Sequence, residues 1–330
     1  MTIHVPAFMQ PVVSDAAIDY SAQEFRQFVR SQLTAASGTG GEQGVLSAGG
    51  FQVTQRGAGA NMSVDVASGL AYVVGDDVSN QGTYQCWNDG TVNITGFTVP
   101  GSGTFHHRVV LQVQDKLNNG AFSGYVANIV PVLDTGGGLP AEPASAVTLA
   151  TIDIPSGASS ITNAIINDYR PRVGPVSAFK TSDTARTHAT SFADDPDLQL
   201  LNLQPSSRYA FWGDFLTTGF NDPGNQGSLT WKFRVPGGTT MEYSAIRTNA
   251  AGAFAGSLAF ADTDTPSSQT LGTSTVTVAT LQGIIVTGNQ PAYTVLQWAQ
   301  NSDSGTATTL KSGSWLRAAK ISFQPSLSKS

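Results

Sequence analysis

Cysteine is almost missing from this chain of 330 residues: Cys86 stands alone, so no disulfide can form within it. Stability must then come from burial or from association of copies. A lone small thiol of this kind reads as a buried apolar residue, not a reactive one. Charge is scarce as well, at 12% of residues with a formal net charge of -6. Nothing in that balance supplies the broad cationic surface that a phosphate backbone requires, so nucleic acid is not an expected partner. Long apolar runs are also missing, and the opening MTIHVPAFMQPVV has no cationic start and is broken by Pro6 and Pro11. The expectation is a soluble chain with no membrane insertion and no ordinary secretory leader.

The residues that usually carry chemistry are few. Glutamate occurs only at Glu24, Glu42, Glu142 and Glu242, and histidine only at His4, His106, His107 and His188. His106 and His107 are adjacent in an extended segment and so point to opposite faces, which prevents them from sharing a metal. Without a cysteine partner or a His-x-x-x-His spacing, zinc is not expected. Asp194, Asp195, Asp197, Asp262 and Asp264 are the carboxylates left for a pair flanking a glycosidic bond. Asp beside Pro, Ser and Thr is ordinary turn chemistry, and the short internal repeat of a β-helical depolymerase is missing. Asp262-Thr-Asp264 and Asn221-Asp-Pro-Gly-Asn-Gln226 offer oxygen ligands without the full spacing of a calcium loop. Ser191 and His188 with nearby Asp suggest a triad, but no nucleophile elbow accompanies them. Gly136 to Gly138 runs into Leu139 and Pro140 instead of a Lys-Ser/Thr and a helix, which rejects a nucleotide loop. The chain is therefore expected not to be an enzyme and to need no cofactor or metal.

Glycine, at 35 residues, and abundant Ser and Thr point to many strands and many turns, hence a mainly β protein. One helix is expected from about Ser21 to Thr34. Ser21 and Glu24 have capping-box spacing, and Phe25, Phe28, Val29 and Leu33 share a face. That stripe suits either a sheet or copies of the same helix around a symmetry axis. The run AASGTGGEQGVLSAGG then reads as a flexible linker. From Phe51 the period becomes two: Met62, Val64 and Val66 alternate with Ser63 and Asp65, and Gly69 turns the chain into Leu70 to Val74, which reads as a hairpin. Further strands are expected at Thr91 to Val99, Arg108 to Gln114, Ala127 to Leu133 and Val147 to Ile154.

Asp168 to Pro175, DYRPRVGP, packs two prolines and a glycine into eight residues and cannot continue a helix or a paired strand. It is read as a short, semi-rigid joint. The expected organisation is residues 1-50 as helix and linker, 51-175 as a β-rich attachment domain, and 176-330 as a β-sandwich. Beyond the joint, Asp194 to Asp197 reads as a turn. Tyr209, Phe211, Gly213 and Phe215 share one strand face, as do Leu229, Trp231, Phe233 and Val235, with Thr230, Lys232 and Arg234 opposite. A sheet with one apolar side is most simply buried in a sandwich. More strands are expected at Thr275 to Leu281, Gly283 to Gly288, Thr294 to Ala299 and Trp315 to Phe323.

Several of these stretches carry a resemblance. ANMSVDVASGLAYVVG, QGTY, RVVLQVQD, VTLATIDIPSGASSI and INDYRPRVG together resemble a domain of tail-tip and tail-fibre proteins of siphophages, especially those of actinobacteria. His107-Arg108-Val109 departs from the usual Arg-x-Asp before the central strand, so no role of that acidic residue is carried over. Asp194-Asp-Pro-Asp-Leu198, Leu296-Gln-Trp-Ala-Gln300 and Gly313-Ser-Trp-Leu316 resemble a C-terminal module of actinophage minor tail proteins. The two resemblances span roughly residues 51 to 325. They imply a trimeric jelly roll comparable to tumour-necrosis-factor-like heads. They also imply a virion structural protein of the tail tip, assembled in the host cytoplasm, bound to other tail or baseplate proteins and displaying a head toward a host surface glycan.

Small residues Ala250, Ala251, Ala253 and Ala255 with Phe254 suit packing around a trimer axis and equally suit a lone flexible loop. Receptor contacts are expected on loops, at Asn221, Asp222, Asn225, Gln226, Asp262 and Asp264. Two alternatives stay open: an adaptor or head fibre binding only virion proteins, and a glycan-cleaving tail enzyme.

Overall fold

The structure is a computed structural model that describes residues 22–33, 42–79, 81–136, 138–218, 229–248, 254–262, 277–300 and 302–321. The chain divides into two compact units, the first ending at Val173 and the second running from Gly174 to Ile321. The described residues are mainly β, in antiparallel sheets, with one short helix near the N-terminus.

The first unit begins with α1 (Ala22–Leu33), β1 (Gly44–Val45), β2 (Val53–Gln55), β3 (Val64–Val66), β4 (Gly69–Gly75) and β5 (Gly82–Asn88). It continues with β6 (Val92–Ile94), β7 (Thr104–Asp115), β8 (Tyr125–Val132), β9 (Ala146–Pro155) and β10 (Ile166–Asp168). Three sheets result, ordered β1-β4-β5, β2-β3-β6 and β10-β9-β7-β8. Their inward residues, among them Val64, Val73, Leu111, Leu149 and Ile152, form one core in which Cys86 is fully buried. Burial pushes the Cys86 thiol up to about 12, which makes it inert.

The alternation expected at Val64 and Val66 is present, but β3 and β4 are not a hairpin. β3 pairs with β2 and β6, while β4 pairs with β1 and β5. Gly69 permits the change of sheet: a Cβ there would lie 2.6 Å from the Cα of Gly50 and 2.8 Å from the Phe51 nitrogen, so the two backbones can pass only without a side chain. Part of the glycine-rich stretch read as linker also belongs to the body. Gly44 and Val45 pair with Tyr72 and Ala71, and Val45 is fully buried. β5 was not among the expected strands, and the expected strand at Thr91 to Val99 shortens to β6.

The helix is held by a residue off its apolar stripe. Arg26 is buried, donates from Nε to the Gln81 carbonyl at 2.9 Å, lies 5.0 Å from the Tyr84 ring centroid and pairs with Asp115 at 3.7 Å. Tyr84 Oη in turn donates to Asp115 at 2.6 Å. Burial and that bond hold the Tyr84 phenol well above its usual range, so it stays a neutral donor. Ser21 and the Glu24 side chain, the expected capping box, lie outside the described residues.

Asp168 to Val173, most of the proline-bearing segment, is part of the first unit. Val173 donates to the Val45 carbonyl, and Val45 to that of Pro171. Arg170, 2% exposed, reaches back to donate to the Gly50 carbonyl at 2.5 Å and pairs with Asp168. The chain enters the second unit only after Val173.

The second unit contains β11 (Val176–Phe179), β12 (Thr184–Arg186), β13 (Ala193–Leu203), β14 (Arg208–Thr218), β15 (Leu229–Arg234) and β16 (Thr240–Thr248). Then come β17 (Phe254–Asp262), β18 (Thr277–Val286), β19 (Ala292–Gln300), β20 (Thr308–Leu310) and β21 (Trp315–Lys320). The large sheet runs β11-β21-β14-β18-β16-β17 with β12 and β20 beside it, and the small one runs β13-β19-β15. Both sheets contribute to one core that includes Tyr209, Phe211, Phe215, Trp231, Phe233 and Trp298. This is a β-sandwich. Its pairings nest: β11 with β21, β13 with β19 and β14 with β18. Nested pairing is the wrapping of a jelly roll, to which β16 and β17 add two strands on the large sheet.

Inward positions at Tyr209, Phe211, Gly213 and Phe215, and at Leu229, Trp231 and Phe233, are as the alternation predicts. β16 and β17 were not expected, and two strands expected at Thr275 to Leu281 and Gly283 to Gly288 are one strand, β18. The expected turn at Asp194 to Asp197 is instead a bulge inside β13, where the register against β19 shifts between Asp194 and Gln199.

Candidate binding face

Alternation fixes the outer face of the large sheet in the second unit. Core residues at Val176, Ala178, Leu316, Ala318, Phe211 and Leu281 leave the residues next to them along each strand pointing away from the core. One row across the sheet is Ser177, Arg317, Trp212, Gln282 and Ser244. The next is Phe179, Trp315, Asp214 and Thr280. Phe179 is 62% exposed, Trp212 and Trp315 are half-buried, and Arg317, Gln282 and Thr280 are exposed. The Arg317 guanidinium lies 5.9 Å from the Trp212 ring centroid, and Thr280 donates to Asp214 at 2.7 Å.

The row from β11 to β18 crosses four strands, roughly 15 Å at ordinary strand spacing. Three aromatic rings held on rigid strands, with a guanidinium, an amide, a carboxylate and a hydroxyl beside them, can stack on the apolar C–H faces of pyranose rings and hydrogen-bond their hydroxyls. Binding here needs little ordering of loops, because paired strands already fix each backbone.

This is not where the sequence placed the contacts. Asp262 closes β17 opposite Met241. Its side chain, together with Asn221, Asp222, Asn225, Gln226 and Asp264, lies outside the described residues, as do Ala250, Ala251 and Ala253. The aromatic face had a signal of its own. On a strand whose apolar face is Tyr209, Phe211 and Phe215, the large aromatic Trp212 falls on the polar side, where packing does not call for it.

Asp194, Asp195, His106, His107 and His188 are each engaged, and His4 lies outside the described residues. Asp194 pairs with Arg234 at 2.5 Å and accepts from Gln297 at 2.7 Å. The Arg234 bond holds its carboxyl below the usual carboxylate range. Asp195 is fully buried and meets Lys180. His106 pairs with Asp153 at 2.7 Å, and His107, on the opposite side, is buried against Phe97 and Phe105. The Asp134 amide donates to His107 Nδ1 at 3.0 Å, which leaves Nε2 to donate to the Thr98 carbonyl at 2.9 Å. His188 pairs with Asp303 at 2.7 Å. Among the described residues no three His, Cys, Asp or Glu side chains gather as a metal site. No described helix is long and apolar enough to cross a membrane.

No family model matches the chain, and no curated protein matches it. Among solved structures, one of the infectious bursal disease virus Gx strain is 11% identical, with 91% of this chain and 89% of that chain covered, at a TM-score of 0.15. A VP2 subviral particle of the same virus is 11% identical over 92% and 88%, at 0.15. The Cry4Aa toxin of Bacillus thuringiensis is 8% identical over 85% of this chain and 54% of that one, at 0.20. TM-scores this low assign no common fold, and no property of those proteins is transferred to this chain.

Proposed function

We propose that this chain is a structural and adhesive protein of a phage virion: the first unit attaches to other tail proteins, and the second binds a host surface glycan without cleaving it. The observation that carries the binding role is the aromatic and polar outer face formed by Phe179, Trp212, Trp315 and Arg317. The virion role is supported by the resemblance of residues 51 to 325 to siphophage tail proteins. Association as a trimer belongs to the same proposal, because several weak faces on one rigid body act at high effective concentration.

The test is co-sedimentation of the full chain with purified bacterial cell walls, followed by competition with soluble wall polysaccharide. Binding displaced by the polysaccharide supports the adhesin. Failure to sediment at any protein concentration up to millimolar, or release of reducing ends from the polysaccharide, overturns it. Light scattering is expected to give three times the chain mass at micromolar concentration, and a monomer there removes the trimer.

A further inference from the structure

The core of the second unit holds one arrangement that packing does not explain. Strand alternation through Val176 and Ala178 continues past the end of β11 and turns Lys180 inward, where its side chain has no exposure. Its ammonium meets Asp195, also with no exposure, at 2.9 Å from Oδ2 and 3.2 Å from Oδ1. A second carboxylate, Asp197, stands 3.3 Å from the same nitrogen, and Thr184 Oγ1 accepts from it at 2.7 Å. Two charges taken out of water in this way carry a desolvation penalty that their mutual attraction only partly offsets. A neutral bond between the same atoms removes that penalty.

We propose that Lys180 and Asp195 join in an intramolecular amide, an isopeptide bond made by the fold itself. Lys180 Nζ attacks Cγ of Asp195, an N–Cγ bond forms, and a Cγ–Oδ2 bond breaks. The ammonium gives up two protons, both of which leave with Oδ2 as one water. No oxidant, nucleotide or other reactant is consumed.

The surroundings supply each need of that step. Asp197 is placed to take a proton from Nζ and pass it to the departing oxygen, as a positioned acid–base group does. Oδ1, which carries negative charge in the tetrahedral intermediate, accepts from the backbone nitrogens of Asp197 at 3.0 Å and Leu198 at 3.1 Å. These two donors exist because of the bulge in β13. Trp298 Nε1 donates to the departing Oδ2 at 3.2 Å. Lys180 and Asp195 have no side-chain exposure, which keeps bulk water from the bond they form, while Asp197 at the edge of the site is 27% exposed. The product links the entry strand of the large sheet to the first strand of the small one, so a pull on the chain at Gly174 is carried to both sheets within a few residues.

The experiment is the intact mass of the purified full chain under denaturing conditions, after days at neutral pH, followed by proteolysis. The expected result is a mass lower than the sequence by one water, about 18 Da, with a branched peptide joining Lys180 to Asp195. Lys180→Arg should show the full mass, and Asp197→Asn should show the full mass or a slowed approach to the lower one while keeping the β-rich circular dichroism of the parent. A wild-type chain at the full sequence mass overturns the proposal and leaves a buried ion pair. A loss of water without the branched peptide, as from a cyclised aspartate elsewhere, overturns it equally.

Discussion

Arg170 and Asp194 show how single charged side chains serve each unit. Arg170, within the proline-bearing segment, is buried in the first unit, where it satisfies the Gly50 carbonyl. Arg170→Ala leaves that carbonyl unpaired and should lower the stability of the unit by about 1–3 kcal/mol, measured by urea unfolding. No change would mean that the segment contributes nothing to the first unit's core. Asp194 acts through acidity. Its carboxyl in the fold lies below the unfolded value of about 3.9 because Arg234 donates to its charged form. The stabilisation is complete above that unfolded value and is lost as pH falls through the folded one. The urea midpoint of the second unit should therefore drop between pH 6 and pH 3, by less in Asp194→Asn than in the wild type. An equal drop in both would contradict this assignment. Neither role was legible in the sequence, because what decides both is a partner far along the chain, Gly50 for Arg170 and Arg234 for Asp194.

At the scale of elements, strands with one strictly apolar face were legible and those governed by close backbone approach were not. Tyr209, Phe211 and Phe215, and Leu229, Trp231 and Phe233, announce their inward faces by alternation alone. The pair β3 and β4 misled because a glycine three residues past a strand reads as a hairpin turn, while Gly69 serves to let the backbone pass Gly50. Lys180 and Asp195 were hidden for a related reason, since a bulge converts an apparent Asp-Pro turn into a buried carboxylate. Gly213 belongs with these close approaches: it lies in β14, where a Cβ would come within 2.4 Å of the Trp315 backbone oxygen. Alanine normally stabilises a strand relative to glycine. Here Gly213→Ala should instead destabilise the second unit by about 1–3 kcal/mol, because β14 and β21 must move apart. A thermal midpoint at or above that of the wild type would show that the sheet accommodates the methyl freely.

The whole molecule presents two β-built units, each with its own core, and an outward face of fixed aromatic rings on the second. Composition and alternation pointed to the β character and to the sandwich. The face itself was missed, since sequence reasoning looks for recognition on loops, whereas Phe179, Trp212 and Trp315 meet only through the register of β11, β21 and β14. If the second unit adheres through this face, flattening it should remove binding without touching either core. The most direct measurement is the affinity of the full chain for purified wall polysaccharide, compared with that of a Trp212→Ala, Trp315→Ala double variant of unchanged thermal midpoint. The expected result is binding by the parent and a loss of tenfold or more in the variant. Equal affinity in the two chains would contradict the assignment of this face.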